Sequence, residues 1–364
     1  MDDGAGIRGR LTTAARVAED SGADEDLHAY WALVEEVVEG ASAETVAHCA
    51  SELLGSAGVL EREAGCDLAG RAAEAHESLR GGAAMSLMAL AGVETERRVL
   101  SSLVHALGRT RDPRAVPVLV RLSGHEDAGL RRDVASEFAS VDSGLPDGPD
   151  VRALIRLTGD QDPEVRAWAA FTLGFQLEQD TAAIRDALRT CTTDTHGAVR
   201  EEGALGLARR HDPRAVPLIA HLLDSDDGSC LFLVDAAAIL GVPELLPALA
   251  AYGPDPAGAE WAAAACDPVR RVRMEADAWA VVVELERLRP DLGAALRSPR
   301  YESVHALKVS HRESAGTEYD AAALLARAGG DPVRAAALVV ADLADLAGPA
   351  AGGSRTGGLP DSPA

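Results

Sequence analysis

The chain has 364 residues and a formal net charge of −23, from 35 Lys and Arg residues against 58 Asp and Glu residues. So acidic a chain lacks the cationic surface that neutralises phosphates, which argues against sequence-independent binding to DNA or RNA. Aromatic residues make up only 3% of the chain, whereas alanine is abundant. This composition favours a stack of closely packed Ala, Leu and Val helices over an ordinary globular core.

The cysteines and the N-terminus indicate the compartment. The five cysteines are Cys49, Cys66, Cys191, Cys230 and Cys266. No two of them stand at a CxxC spacing, so we interpret them as buried thiols in a reducing cytoplasm. The chain begins with MDDGAGIRGR, which lacks the apolar segment of a signal peptide, and no run of about 18 apolar residues could span a membrane. Lys308 is the only lysine, and the preference for arginine is typical of a GC-rich bacterial genome.

Residues 1–42 are predicted to be a leader and an N-terminal capping helix. Residues 1–25 are polar and rich in Gly, Ala and Asp, and we interpret them as mostly a leader with a short helix near Ile7–Ala18. His28–Glu39 has the apolar spacing of a helix. End units of repeat arrays need atypical covers, so we interpret Tyr30 and Trp31 as part of such a cover.

From residue 43 to residue 253, apolar spacing predicts consecutive helix pairs joined by short polar turns. The predicted pairs are 44–54 with 59–72, 76–90 with 95–108, 114–122 with 130–139, 151–158 with 164–176, 182–190 with 199–209, and 214–223 with 230–240, and 244–252 begins a seventh.

These pairs repeat with a period of about 34 residues. Val165-Arg166 returns as Val199-Arg200, and Leu130-Arg131 holds the same place one unit earlier. The motif DPRAVP occurs at 112–117 and again at 212–217, three units apart. A period in this range indicates a solenoid, in which each unit buries its apolar face against its neighbours.

The pattern resembles HEAT repeats of the short, PBS-lyase-like variety. The resemblance rests on DPRAVPVLVRL (Asp112–Leu122), DPEVRAWAAFTLG (Asp162–Gly174), AVREEGALGLARRHDPRAVPLIAHLLDSDD (Ala198–Asp227) and DAAAILG (Asp235–Gly241). It implies an all-α fold, a right-handed α-solenoid of about six to seven helix pairs.

The resemblance also implies a ladder in which the arginine after the valine bonds to a turn aspartate of its own or a neighbouring unit. The arginines that fit the pattern are Arg131, Arg166 and Arg200, and the aspartates that fit are Asp127, Asp162 and Asp194.

After Gly253 the repeat marks disappear. Residues 254–347 are predicted to be a divergent helical extension that caps or continues the stack. The tail 348–364 is rich in Gly, Pro and Ser and is predicted to be disordered.

The sequence contains no recognisable catalytic motif, and we predict neither a cofactor nor a metal site. One HEAT-like enzyme, deoxyhypusine hydroxylase, binds two irons through four His-Glu pairs. This chain has only His76-Glu77 and His125-Glu126, at unequal places in their units, and we interpret them as solvated polar residues.

In the absence of a catalytic motif, the candidate functional feature is a surface on the second helix of each pair. In this repeat type, that helix lines the concave inner face of the solenoid. Phe171 lies off the apolar stripe that begins at Val165, although it could also pack on the next unit; Trp168 is interpreted as core. The residues of the predicted groove are His105, Arg132, Phe171, Glu201 and Leu205.

We therefore predict a cytoplasmic, non-enzymatic scaffold or adaptor that binds a basic or amphipathic segment of another protein in its concave groove. The alternative is a HEAT-like enzyme or cofactor chaperone of the lyase or metal-dependent hydroxylase type. No nucleic-acid or membrane partner is expected, and the oligomeric state stays open.

Overall fold

The computed structural model describes residues 4–224, 231–252, 256–297, 306–311 and 316–346. The chain divides into two compact units, Met1–Ala236 and Ala237–Ala364. The tail that is predicted to be disordered lies outside the described residues. Within the described ranges no helix is long and apolar enough to cross a membrane.

Where the structure describes the first unit, its regular elements are helices. They are α1 (Gly4–Ser21), α2 (Asp24–Gly40), α3 (Ala43–Leu54), α4 (Val59–Ala75), α5 (Arg80–Ala91), α6 (Arg97–Thr110), α7 (Val116–Leu122), α8 (Ala128–Glu137), α9 (Pro149–Leu157), α10 (Pro163–Phe171), α11 (Ala182–Cys191), α12 (Gly197–Arg209), α13 (Ala215–Leu223) and α14 (Leu231–Leu240), whose last residues belong to the second unit. Consecutive helices pack against each other in pairs, such as α3 with α4 and α11 with α12.

The pairs stack into two layers. In one layer α4 contacts α6, α6 contacts α8, α8 contacts α10 and α10 contacts α12; we call this row of even-numbered helices the B layer. In the other layer α7 contacts α9, and α9 contacts α11. The predicted all-α solenoid of helix pairs is confirmed by this arrangement.

Short polar side chains begin several of these helices. Asp162 accepts hydrogen bonds from the backbone N–H groups of Glu164 and Val165 at the start of α10, where Pro163 occupies the first turn. Thr181 caps α11 in the same way. These caps satisfy N–H groups that have no partner within the helix, so the turns define where each helix begins.

Residues 4–21, interpreted above as mostly a leader, form the 18-residue helix α1 instead. Its Ile7 and Leu11 are fully buried, and α1 packs against α2, α3 and α4. Two apolar residues four positions apart predict a helix only weakly in a polar segment. They are enough to hold α1 in place because the helix packs on a surface that α2, α3 and α4 form. The buried Tyr30 on α2 donates a hydrogen bond to Asp67 on α4 at 2.9 Å.

An arginine ladder joins successive units. Each arginine lies near the start of a B-layer helix and reaches a carboxylate in the turn of the next unit. The rungs within the described residues are Arg62 with Glu94, Arg97 with Asp127, Arg131 with Asp160, and Arg166 with Asp194.

The rung at Arg166 shows how the contact is built. Its Nε and Nη2 donate to the two carboxylate oxygens of Asp194 at 2.7 and 2.9 Å, and its Nη1 donates to the backbone carbonyls of Asp160 and Gln161. The hydrogen bond from Arg166 holds the pKa of the Asp194 carboxyl below its ordinary value. Asp162 is the cap of α10, and Arg166 pairs with the turn aspartate of the neighbouring unit, the second of the two arrangements that the resemblance implies.

The neighbouring rung is built in the same way. The Nε and Nη2 groups of Arg131 donate to Asp160, in the turn of the next unit, at 2.8 and 2.7 Å. Asp127 instead accepts from Arg97 and caps α8. The Nη1 group of Arg131 donates to two backbone carbonyls of its own turn, those of His125 and Glu126. Its Nε and Nη2 groups are therefore available for the carboxylate in the next turn.

The second unit combines helices with a small sheet. Its elements are α15 (Leu246–Ala251), α16 (Pro256–Cys266), α17 (Pro268–Leu288), β1 (Leu292–Arg297), β2 (Ala306–His311), β3 (Thr317–Asp320), α18 (Ala321–Arg327) and α19 (Pro332–Leu346). The strands form an antiparallel sheet in the order β1-β2-β3, with Ala294 opposite Val309 and Leu307 opposite Tyr319.

The expectation of an entirely helical extension over 254–347 is therefore wrong. The strands are short, and only a few of their residues, such as Leu307 and Val309, enter the core formed with α17, α18 and α19. An alternating pattern of so few residues is hard to distinguish from a loop in an alanine-rich sequence.

Candidate partner-binding surface

Three aromatic side chains gather at the end of α10, and we call them the aromatic cluster: Trp168, Phe171 and Phe175. The Trp168 and Phe171 rings meet edge to face with centroids 5.7 Å apart, and Phe171 stacks on Phe175 at 5.3 Å. Trp168 is 39% exposed, Phe175 is 41% exposed and Phe171 is half-buried. Exposed rings are notable in a chain with only four Phe, four Trp and four Tyr residues, and such rings commonly anchor binding partners.

Phe175 lies in a π-helical turn, Thr172–Gln176, that ends α10. The N–H of Leu177 donates to the carbonyl of Thr172 at 3.0 Å, one residue further back than in an α-helix. Such wide turns are rare and occur often at functional sites, because they leave backbone carbonyls without their usual partners.

Arg210 holds this turn from the inside. Its guanidinium is buried and donates to the carbonyls of Leu173 at 2.7 Å, Gly174 at 2.8 Å and Gln179 at 2.9 Å. These charge-assisted bonds satisfy the carbonyls of the wide turn and of the segment after it. The turn that carries Phe175 is therefore rigidly supported.

Two glycines bring α10 and α12 close together. A Cβ atom placed on Gly174 would lie 2.9 Å from the Cα of Gly206, closer than carbon atoms normally approach. The two residues occupy the positions at which His105 and Glu137 meet between α6 and α8. Where α10 crosses α12, the two glycines let the backbones pack directly against each other, whereas α6 and α8 are joined there by the hydrogen bond between His105 and Glu137. The aromatic cluster on α10 therefore lies beside α12.

Arg209, on α12, lies over the aromatic cluster. Its guanidinium carbon is 3.9 Å from the centroid of the Phe175 ring. The contact is a cation–π interaction and shows that a guanidinium fits against these rings.

Glu202 on α12 has an unusual carboxyl. Burial, with a further contribution from the charge of Glu201, raises the pKa of Glu202 to about 7. Its Oε2 atom is buried and has no hydrogen-bond partner among the described residues. At the same helical position on α8, Asp133 accepts a hydrogen bond from Ser101 at 2.5 Å, whereas the residue of α10 that corresponds to Ser101 is Ala170.

The predicted groove residues do not all lie at the aromatic cluster. Phe171 belongs to the aromatic cluster, and Glu201 lies half-buried beside Glu202. Leu205 is only 5% exposed, so its predicted exposure is wrong; the close approach of α12 to α10 buries it. Trp168, interpreted above as core, is exposed, so that interpretation is wrong too.

His105 and Arg132 lie away from the aromatic cluster in a network of ion pairs on α6 and α8. His105 Nδ1 is 2.8 Å from an oxygen of Glu137, and this hydrogen bond raises the pKa of His105. Arg132 pairs with Asp133 at 3.1 Å.

Sequence reasoning missed Trp168, Phe175, Arg209 and Glu202. A signal for the rings was present, because aromatic residues at positions 168, 171 and 175 follow the i, i+3, i+7 spacing of one helix face. Neither the π-helical turn nor the burial of Glu202 has a comparable sequence signal.

The described part of the chain contains no group of three or more His, Cys, Asp and Glu side chains that could hold a metal ion. His125, from one of the two His-Glu pairs, accepts a hydrogen bond from the backbone N–H of Asp127 within its own turn. Cys49, Cys66, Cys191 and Cys266 are buried free thiols.

The fold and the ladder define a class of protein, and comparison with known proteins agrees. A family model described as HEAT repeats matches residues 151–231, a range that holds most of α9, all of α10 to α13 and the aromatic cluster. The chain therefore contains HEAT repeats over this range.

Among particular relatives, Protein YibA of Escherichia coli (strain K12) is 32% identical over 143 residues, covering 38% of this chain and 49% of YibA. The same match is found with Protein YibA of Escherichia coli O157:H7. The chain thus spans about half the length of the curated relatives it matches.

Two solved structures share the fold. The X-ray structure of E. coli YibA matches with a TM-score of 0.54 and 19% identity, covering 72% of this chain and 95% of that one. The karyopherin Kap121p, bound to the extreme C-terminus of the protein phosphatase Cdc14p, matches with a TM-score of 0.52 and 12% identity, covering 80% of this chain and 38% of that one.

Proposed function

We propose that this protein is a non-enzymatic scaffold that holds a segment of another protein on its B layer, anchored at the aromatic cluster. The observation that carries the proposal is that three touching rings, of which Trp168 and Phe175 are exposed and Phe171 is half-buried, gather in a chain that is poor in aromatic residues. Rigid aromatic side chains supply a large contact area at little cost in side-chain entropy, which is why a few of them dominate the energy of many interfaces.

The partner segment is proposed to be amphipathic and basic. An apolar residue of the segment packs on the rings, and a Lys or Arg approaches Glu202, whose buried oxygen has no hydrogen-bond donor among the described residues. The net charge of −23 adds a long-range attraction for such a segment. This attraction raises the association rate and the selectivity more than the affinity.

The fold itself supports this kind of partner. The Kap121p structure, a helical-repeat protein of the same fold, contains a bound C-terminal protein segment. The buried free thiols of this chain suit a reducing compartment, and we propose a cytoplasmic location.

Affinity purification from the source organism tests the proposal. The baits are the unchanged chain, the double variant Trp168→Ala with Phe175→Ala, and the control Met85→Ala, which removes an exposed apolar side chain from α5. We expect a partner that the unchanged chain and the control retain and the double variant loses. Equal recovery by all three folded baits would contradict the proposal, and stoichiometric iron or zinc in the purified protein would favour the enzyme alternative.

A further inference from the structure

The outer face of α17 carries an apolar stripe that no described residue covers. Val269, Val272, Trp279 and Val283 are 79%, 64%, 54% and 59% exposed, and Ala276 is exposed between them. The spacing of three and four residues is that of a helix face that packs on another helix. An exposed stripe of this length usually marks an interaction surface.

The opposite face of α17 already has its partners. Ala278, Val281, Val282 and Leu285 are buried in the core that α17 forms with α18, α19 and the sheet. The helix is therefore held in place by one apolar face while it presents a second one. A helix that is apolar on both sides is normally buried on both sides.

We propose that a second copy of this chain covers the stripe, with the two α17 helices packed antiparallel about a two-fold axis. An axis that passes between Ala276 and Trp279 places Val272 of one copy against Val283 of the other. It also places the small Ala276 of each copy against the large Trp279 of the other. A two-fold interface uses the same patch twice, so the patch must be self-complementary, and this one is.

The charges beside the stripe favour the antiparallel arrangement. Along one flank, Arg270 and Arg273 occupy the N-terminal part of α17, whereas Asp277 and Glu284 occupy the part after them. Antiparallel packing about a two-fold axis sets this flank of one copy beside the same flank of the other, so Arg270 of one copy lies opposite Glu284 of the other. Within the chain Arg270 also pairs with Glu260 and Glu284 with Arg287, so the cross-pairs extend existing networks.

The helix has 21 residues and is therefore about 30 Å long. A single helix pair of this length buries less area than a standard stable interface of roughly 1,600 Å², so we infer a dimer that dissociates on dilution.

Size-exclusion chromatography with light scattering, run on the full chain over a concentration series, tests the proposal. The unchanged chain should approach twice the mass of one chain as concentration rises. Trp279→Glu should stay monomeric, whereas the matched control Met85→Glu, which places the same charge on α5, should behave like the unchanged chain. Circular dichroism should show that the unchanged chain and both variants have the same helix content.

A charge exchange tests the antiparallel register. Arg270→Glu alone and Glu284→Arg alone should each weaken self-association, because each places like charges opposite one another in the dimer. An equal mixture of the two variants should restore it, because both cross-pairs then have opposite charges. The proposal is overturned if the unchanged chain stays monomeric at every concentration, if Trp279→Glu still dimerises, or if the mixture associates no better than its components.

Discussion

Glu202 combines burial with the absence of a hydrogen-bond donor among the described residues. Its neighbour Glu201 adds a like charge, and Ala170 stands on α10 where another unit has a serine. A buried carboxyl in such surroundings is stabilised in its protonated form. A partial mismatch of this kind lowers stability and is typical of a site that is completed by a partner.

The raised pKa of Glu202, about 7, predicts how stability depends on pH. Because the folded chain holds this proton more tightly than the unfolded chain, the contribution of Glu202 to stability falls as pH rises from the unfolded pKa through about 7. Glu202→Gln should therefore raise the free energy of unfolding at pH 8 by about 2 kcal/mol and change it little at pH 4.5.

Urea unfolding followed by circular dichroism at several pH values measures this difference. Glu126→Gln, in the turn before α8, is the matched control, since it removes an exposed carboxylate that lies on another unit. If Glu202→Gln and Glu126→Gln have the same stability profile from pH 4.5 to pH 8, the carboxyl of Glu202 is not buried as described.

At the scale of elements, the ladder couples each unit to the next. Arg166 and Asp194 are each only 15% exposed, and the arginine donates to a carboxylate and to two carbonyls. Surface ion pairs contribute about 0–1 kcal/mol, but removing one member of a buried, fully bonded pair leaves the other charge without its partner. The rung formed by Arg166 and Asp194 therefore holds the turn before α12 at a fixed distance from α10.

Arg166→Ala should lower the free energy of unfolding by about 2–3 kcal/mol, since it removes several charge-assisted hydrogen bonds and leaves the carboxylate of Asp194 without its partner. Arg166→Lys should recover less than half of this loss, because an ammonium cannot make the bidentate contact. The control is Arg156→Ala on the exposed side of α9, which we expect to change stability by less than about 0.5 kcal/mol. A loss in Arg166→Ala as small as that of the control would show that the rung is open to solvent.

The helix pairs could be predicted because their signal is repeated. Asp162 and Pro163 mark a helix start, Val165 begins an apolar stripe, and the same marks return one period later. A single weak segment has no such support. Ile7 and Leu11 anchor α1 only through helices that follow it in the chain, and the strands around Leu307 are short and not repeated.

The candidate site could be predicted only in part. The position of Phe171 off the apolar stripe predicts it as a surface residue. The sequence predicts Trp168 to be buried and Leu205 to be exposed, and the structure shows the reverse. Their exposure depends on how closely α10 and α12 approach, which Gly174 and Gly206 determine across two units. Spacing along one helix carries no information about that distance.

At the scale of the whole molecule, we propose two contact surfaces, one on the B layer and one on α17. On the B layer, we propose that the aromatic cluster anchors a partner segment. A segment for the test can be obtained by selecting peptides from a random display library against the full chain.

The most direct measurement is the dissociation constant of one such peptide for the unchanged chain, for Trp168→Ala and for Met85→Ala. Loss of a central aromatic anchor costs about 2 kcal/mol, so Trp168→Ala should weaken binding by about 30-fold, whereas Met85→Ala should change it by less than about twofold. If selected peptides bind all three proteins equally, the aromatic cluster is not the partner-binding surface.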